Sequence, residues 1–140
     1  MRDRIFLDTN VVIDLLGERE IYYESSAKIA SLADRGEIQI VVSALTLPTV
    51  YYVLSRYEDK TIVRDKITRF KIIVEISDLT DKILEQGLSS KFSDFDDALQ
   101  YYCAVNSACE IIITRNGRDF KESAIPVLNP DEYLGKRNTK

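Results

Sequence analysis

The sequence predicts an α/β protein: a mostly parallel sheet with helices covering both faces. Three observations carry this expectation. Short apolar runs recur at residues 5–7, 38–42, 72–74, 111–114 and 125–128. Segments with apolar residues at helical spacing separate them, as parallel crossovers require. No internal repeat or low-complexity linker interrupts the alternation.

Taken in order, Ile5-Phe6-Leu7 reads as a buried strand with Asp8 at its carboxyl end, and residues 11–16 as a short helix stopped by Gly17. Residues 23–35 suit a helix followed by Gly36 as a C-cap, and a second strand at 38–42 follows directly. Residues 43–46 form a strand-to-helix turn, with Pro48 acceptable in the first helical turn. With Thr46 as N-cap, Thr49 takes the N3 position, and the helix continues through Val50, Val53 and Leu54. A charged amphipathic helix at 60–70 leads to a third strand at 72–74. Ser77 or Asp78 can cap a helix over 79–86, ended by Gly87. Ser93 and Asp96 have capping-box spacing for the next helix, on which Asp94 and Asp97 share a side. Strands at 111–114 and 125–128 complete the sheet. Residues 1–134 are expected to form one domain and 135–140 a polar, disordered tail.

Composition removes several chemistries. There is no histidine, which excludes His-based acid–base catalysis, Ser-His and Cys-His pairs, and imidazole zinc sites. Cys103 and Cys109 alone cannot build a zinc cluster and are expected to be reduced structural thiols of a cytoplasmic protein. No apolar run approaches a membrane span, and no signal peptide precedes Leu7. A net charge of −4 argues against a broadly basic, nucleic-acid-coating surface but is compatible with a local basic rim.

Aspartates mark the places where the chain changes direction. Leu7-Asp8-Thr9-Asn10 closes the first strand, Ser93-Asp94-Phe95-Asp96-Asp97-Ala98 opens a helix, and Thr114-Arg115-Asn116-Gly117-Arg118-Asp119-Phe120 follows a later strand. Each segment alone has a plain structural reading as a helix cap or a turn. Converging on one sheet edge, their carboxylates would repel one another and favour a divalent cation. Arg115, Arg118 and Lys121 share the last segment and are the candidates for a phosphate-facing rim. Arg56, Lys60, Arg64 and Lys66 read instead as a solvated helix face.

Together and in this order, the three segments resemble the PIN-domain family, particularly its small stand-alone toxin ribonucleases of toxin–antitoxin pairs. The likeness runs from about Ile5 to Leu128. It implies an α/β/α sandwich and hydrolysis of RNA phosphodiesters dependent on Mg²⁺ or Mn²⁺. By position it implies Asp8, Asp97 and Asp119 as catalytic and metal-binding carboxylates, with Asn116 and Asp94 as further candidate ligands. Thr9 and Thr114 would support them. It also implies a small protein antitoxin and a homodimer. One position departs: Thr49 stands where the family usually carries glutamate. A hydroxyl supplies no charge, so an alternative reading is a catalytically weakened PIN-like module that binds RNA or protein.

Overall fold

The apolar runs at 5–7, 38–42 and 111–113 become neighbouring strands in the computed structural model, which describes residues 2–138. The strands are β1 (Asp3–Leu7), β2 (Ile38–Ser43), β3 (Val74–Ser77), β4 (Ile111–Ile113) and β5 (Val127–Leu128). They pair in the order β3-β2-β1-β4-β5, every pair parallel. The helices are α1 (Thr9–Leu16), α2 (Tyr23–Asp34), α3 (Thr46–Leu54), α4 (Lys60–Ile72), α5 (Asp81–Ser89), α6 (Phe95–Asn106) and α7 (Pro130–Asn138). A short 3-10 helix covers Gly117–Phe120.

Side-chain alternation divides the core into two layers. Ile5, Leu7, Ile40, Val42, Ile111 and Ile113 face a cluster shared with Val12, Ile29, Val50, Phe70 and Tyr133. Phe6, Val41 and Ile112 face the opposite cluster, shared with Ile83, Leu99 and Cys103. Burial on both faces explains why the central strands are continuously apolar, each fully buried side chain contributing about 1.5–3 kcal/mol. Both cysteines are free and buried. Among the described residues, no helix is long and apolar enough to cross a membrane.

Several expected boundaries move. α4 runs to Ile72, so β3 begins at Val74 rather than Ile72. A three-residue apolar run fits a helix end as well as a strand, and Ile72 is in fact exposed. α5 starts at Asp81, capped by Thr80 Oγ1, and continues through Gly87 to Ser89. Gly87 is a contact rather than a stop, because a Cβ there would lie 3.0 Å from Leu99 Cδ2 and 3.3 Å from Phe95 Cε1. α6 is capped by Asp94, not Ser93: Asp94 Oδ1 accepts from the Asp97 N–H at 2.9 Å. α3 begins at Thr46 with Leu45 as N-cap, so Thr46 is inside the helix and Thr49 one position beyond N3.

The disordered tail expected from Gly135 is also corrected. α7 extends to Asn138, while residues 139–140 lie outside the described part. Asn129 and Glu132 exchange side-chain bonds with each other's backbone N–H, each at 2.8 Å, and Pro130 occupies the first turn. Tyr133 then buries its ring and donates from its hydroxyl to Asp3 Oδ2 at 2.9 Å, which anchors the helix to β1.

The strand order reverses between β1 and β4: the chain runs from β1 outward to β2 and β3, then returns to β4 on the other side. In a parallel sheet, the carboxyl ends at such a point border a crevice.

The two helices that start at this crevice, α1 and α3, also meet at their far ends. A Cβ at Gly17 would lie 2.8 Å from Ile13 O and 2.9 Å from Leu54 Cδ2. Gly17→Ala is therefore expected to cost about 1–3 kcal/mol by overpacking, read as a lower urea midpoint at unchanged slope; an unshifted midpoint would show that the helices yield freely.

Candidate functional site

Asp8 lies at the crevice because it directly follows the last residue of β1. Its N–H donates to Ile113 O at 2.9 Å, carrying the β1–β4 ladder one residue further. Its side chain is buried and serves as the N-cap of α1, with Oδ1 accepting from the Thr9 N–H at 2.9 Å. Thr114, just past β4, donates to Asp8 Oδ2 at 2.8 Å. The Asn10 amide nitrogen lies 3.3 Å from both Asp8 Oδ2 and Thr114 Oγ1, and Asn10 Oδ1 accepts from the Arg115 N–H. The strand-end residues of the first and third aspartate segments therefore form one hydrogen-bonded unit.

The second segment reaches the same place from α6. Asp97 is partly buried in its first turn, with Asp94 and Asp96 exposed beside it. Burial together with the negative charges of Asp94, Asp8, Asp119 and Asp96 pushes the Asp97 carboxyl up to about 7. Burial also raises Asp8, with Asp119 adding to the effect and the bonds from Thr114 and Thr9 opposing it. Asp119 is exposed on the 3-10 helix. The carboxylates thus lie within each other's field. Among the described residues, however, no three Asp, Glu, Cys or His side chains gather closely enough to form a ready metal cage.

The remaining predicted residues divide. The Thr9 hydroxyl is 3.2 Å from that of Thr46 and accepts from Gln100 Nε2 at 2.9 Å. Asn116 enters the network through its backbone N–H, which donates to Thr114 Oγ1 at 3.1 Å, and is exposed. Thr49 is exposed and its hydroxyl donates to Leu45 O at 3.0 Å, four residues back in its own helix. The buried hydroxyl of α3 that joins the site network is Thr46, three residues earlier. Arg118 and Lys121 are exposed next to Asp119.

Arg115 is placed differently from expectation. Its Nε donates to Asp14 Oδ2 at 2.6 Å, and its guanidinium lies 4.0 Å from the centre of the Tyr22 ring. Asp14 is fully buried and needs that partner, since Arg19 is the more distant one at 3.9 Å. Lys66, expected in solvent, instead donates to Leu16 O and Glu58 Oε1, both at 2.8 Å.

Sequence reasoning missed Asp14, Thr46 and Gln100 as members of this neighbourhood. Helical spacing held the signal: Asp14 is i+4 from Asn10, and Gln100 is i+3 from Asp97.

Comparison with known proteins agrees with the α/β fold class. The family model for the PIN domain matches residues 4–118. Ribonuclease VapC1 of Aquifex aeolicus (strain VF5) is 28% identical, covering 98% of this chain and 97% of its own. A chain of a toxin–antitoxin complex from Klebsiella pneumoniae superposes with a TM-score of 0.67 at 24% identity, over 90% of this chain and 97% of its own. VapC20 of Mycobacterium tuberculosis, described as a sarcin–ricin-loop-cleaving toxin, gives 0.61 at 16% identity, over 77% and 86%.

Two predictions follow from the charges. Unfolded, Asp97 titrates near its ordinary value of 3.8, whereas the native protein keeps the proton up to about 7. Between these values the native state binds more protons, so stability falls as pH rises and the penalty is complete above about 7. In chelator-treated protein, Asp97→Asn should melt above the wild type at pH 8, with the gap closing toward pH 5; a pH-independent gap in calorimetric scans would contradict this. Arg115→Ala should lower stability by about 3–5 kcal/mol, because it strands the buried Asp14 charge. A denaturation midpoint close to wild type would return Arg115 to the solvent-facing rim.

Proposed function

Because this chain belongs to the PIN-domain family, we propose that it is a metal-dependent endoribonuclease acting as the toxin of a cytoplasmic toxin–antitoxin pair. The observation that carries this reading is that Asp97, partly buried at the start of α6, lies in the field of Asp8, Asp94, Asp96 and Asp119 at the crevice. Such a set is poorly stable without a counter-charge, and a dication reverses the sign of its electrostatics. The donors are carboxylate, hydroxyl and amide oxygens, the hard ligands that suit Mg²⁺ or Mn²⁺. Mg²⁺ keeps several waters and takes one or two carboxylates plus substrate phosphate, a demand that Asp8 and Asp97 can meet.

In this reading Asp8 and Asp97 hold the cation, and Asp119, Asn116 or Asp94 orients it or its waters. A bound dication would polarise a phosphodiester oxygen and lower the pKa of a water. Thr114, Thr9 and Asn10 hold the Asp8 carboxylate in place by hydrogen bonds. With no histidine in the chain, proton transfer falls to a carboxylate or to water. Arg118 and Lys121 face the RNA phosphates, and Arg115 supports the loop from behind through Asp14. The whole-length likeness to Ribonuclease VapC1 supports RNA as the substrate. The Klebsiella pneumoniae neighbour, from a toxin–antitoxin complex, supports a small protein antitoxin; a homodimer is part of the same proposal.

A second reading is a module that binds RNA or protein with weakened catalysis. The position of Thr49 favours it: exposed, uncharged, and with its hydroxyl committed to Leu45 O.

Cleavage of total RNA with Mn²⁺ separates the two. The nuclease reading expects cleavage that EDTA abolishes and that Asp8→Asn or Asp97→Asn lowers at least about 100-fold, the scale of losing a transition-state electrostatic contact. Intact RNA retained by the protein equally well with and without EDTA would favour the binding module instead.

A further inference from the structure

Gln100 is the amide side chain in the buried stretch from Ala98 to Tyr101 of α6. It sits one turn beyond Asp97 and is 6% exposed. Its Nε2 donates to Thr9 Oγ1 at 2.9 Å and lies 3.5 Å from Thr46 Oγ1, while the two hydroxyls are 3.2 Å apart. The other end of the amide, Oε1, is buried and has no hydrogen-bond partner among the described residues. Both ends share one planar carbon, so anchoring the nitrogen to Thr9 keeps Oε1 within a few ångströms of that residue. Thr9 adjoins Asp8, and Gln100 follows Asp97 on the same side of α6. The orphaned oxygen is thus held near Thr9, the residue after Asp8, on the helix that carries Asp97.

A buried amide oxygen without a partner costs free energy that a leucine of similar volume would not. Its ordinary remedy is a polar hydrogen-bond donor such as a bound water, which itself needs two to four polar partners. Charge also matters. Asp97 already faces four other carboxylates, so another acidic group would add repulsion, whereas an amide oxygen accepts a hydrogen bond and brings no charge.

Resting on the metal-site reading above, we propose that Gln100 is a positioning residue for the acidic site. Thr9 and Thr46 clamp its nitrogen end, and its oxygen accepts a hydrogen bond from the hydration shell of a dication held by Asp8 and Asp97. This gives the site an uncharged acceptor fixed by three separate elements: the start of α1, the start of α3 and the second turn of α6.

The test is Mn²⁺ titration by calorimetry, with water-proton relaxation of the bound ion, on wild type, Gln100→Leu and Gln100→Glu, each also melted without metal. Gln100→Leu should weaken Mn²⁺ binding about 10-fold or more, the scale for losing an outer-shell partner, while its metal-free melting temperature stays level or rises. Gln100→Glu keeps an acceptor oxygen, and the Thr9 hydroxyl can turn to donate to it, so it should bind Mn²⁺ at least as tightly as wild type. Gln100→Met repeats the loss of the amide with a different packing shape. Unchanged Mn²⁺ affinity in the Leu and Met variants would overturn the inference, as would a Glu variant as weak as the Leu one. Asp97→Asn separates the levels: if it loses Mn²⁺ and Gln100→Leu does not, only this inference falls. If wild type binds no Mn²⁺ with or without RNA, the metal reading falls and takes this inference with it.

Discussion

The hydrogen bond from Thr114 to the buried Asp8 carboxylate joins the ends of the two strands between which the sheet reverses direction. Around it the site is arranged in both directions. Asp8 extends the β1–β4 ladder through its backbone and starts α1 with its side chain, so one residue fixes the strand end, the helix origin and the position of a charge. A buried carboxylate requires such partners, since an unpaired one would cost far more than its hydrogen bonds return. Thr114, Asn10 and the Thr9 N–H supply them, and each comes from a segment immediately adjoining the crevice.

Asp97 is the opposing element. It arrives on α6 from the other layer of the sandwich and enters the field of Asp8 and Asp119 rather than a neutralising partner. The two acidic positions thus differ physically: Asp8 is hydrogen-bonded into the scaffold, whereas Asp97 is left in repulsion. A fold that tolerates this accepts lower stability at the crevice, a cost that a cation would offset in the proposed reading. The pair of buried Asp14 with half-buried Arg115 lies close by but has the opposite character, two charges neutralised at 2.6 Å. That pairing holds the loop after β4 against α1 and separates the supporting arginine from the exposed Arg118 and Lys121.

Much of this was legible before any coordinates. Apolar runs buried on both faces mark the parallel strands, and the three aspartate segments sit where the crevice forms. Local signals were weaker wherever two structures shared one pattern. Ile72-Ile73-Val74 suits a helix end or a strand, and Gly87 reads as a stop although it serves a close helix contact. The last helix carried its own capping sequence, Asn129-Pro130-Asp131-Glu132, but the polar composition after it masked the buried anchor Tyr133. Arg115 reads as a free cation in sequence because its partner, Asp14, is 101 residues away.

The sequence by itself determined what is encoded within a few residues: strand and helix type, the stop at Gly17, the absence of histidine chemistry, and the acidic character of three turns. Those follow from local periodicity and side-chain chemistry. Only the tertiary structure decided which charges meet, which cation is withdrawn into an ion pair, and that Thr46 rather than Thr49 faces the site network. It also decided that Gln100 ends with one amide atom bound and the other open. Such outcomes depend on distances between segments far apart in the chain, and on how much water is left between them once the layers pack.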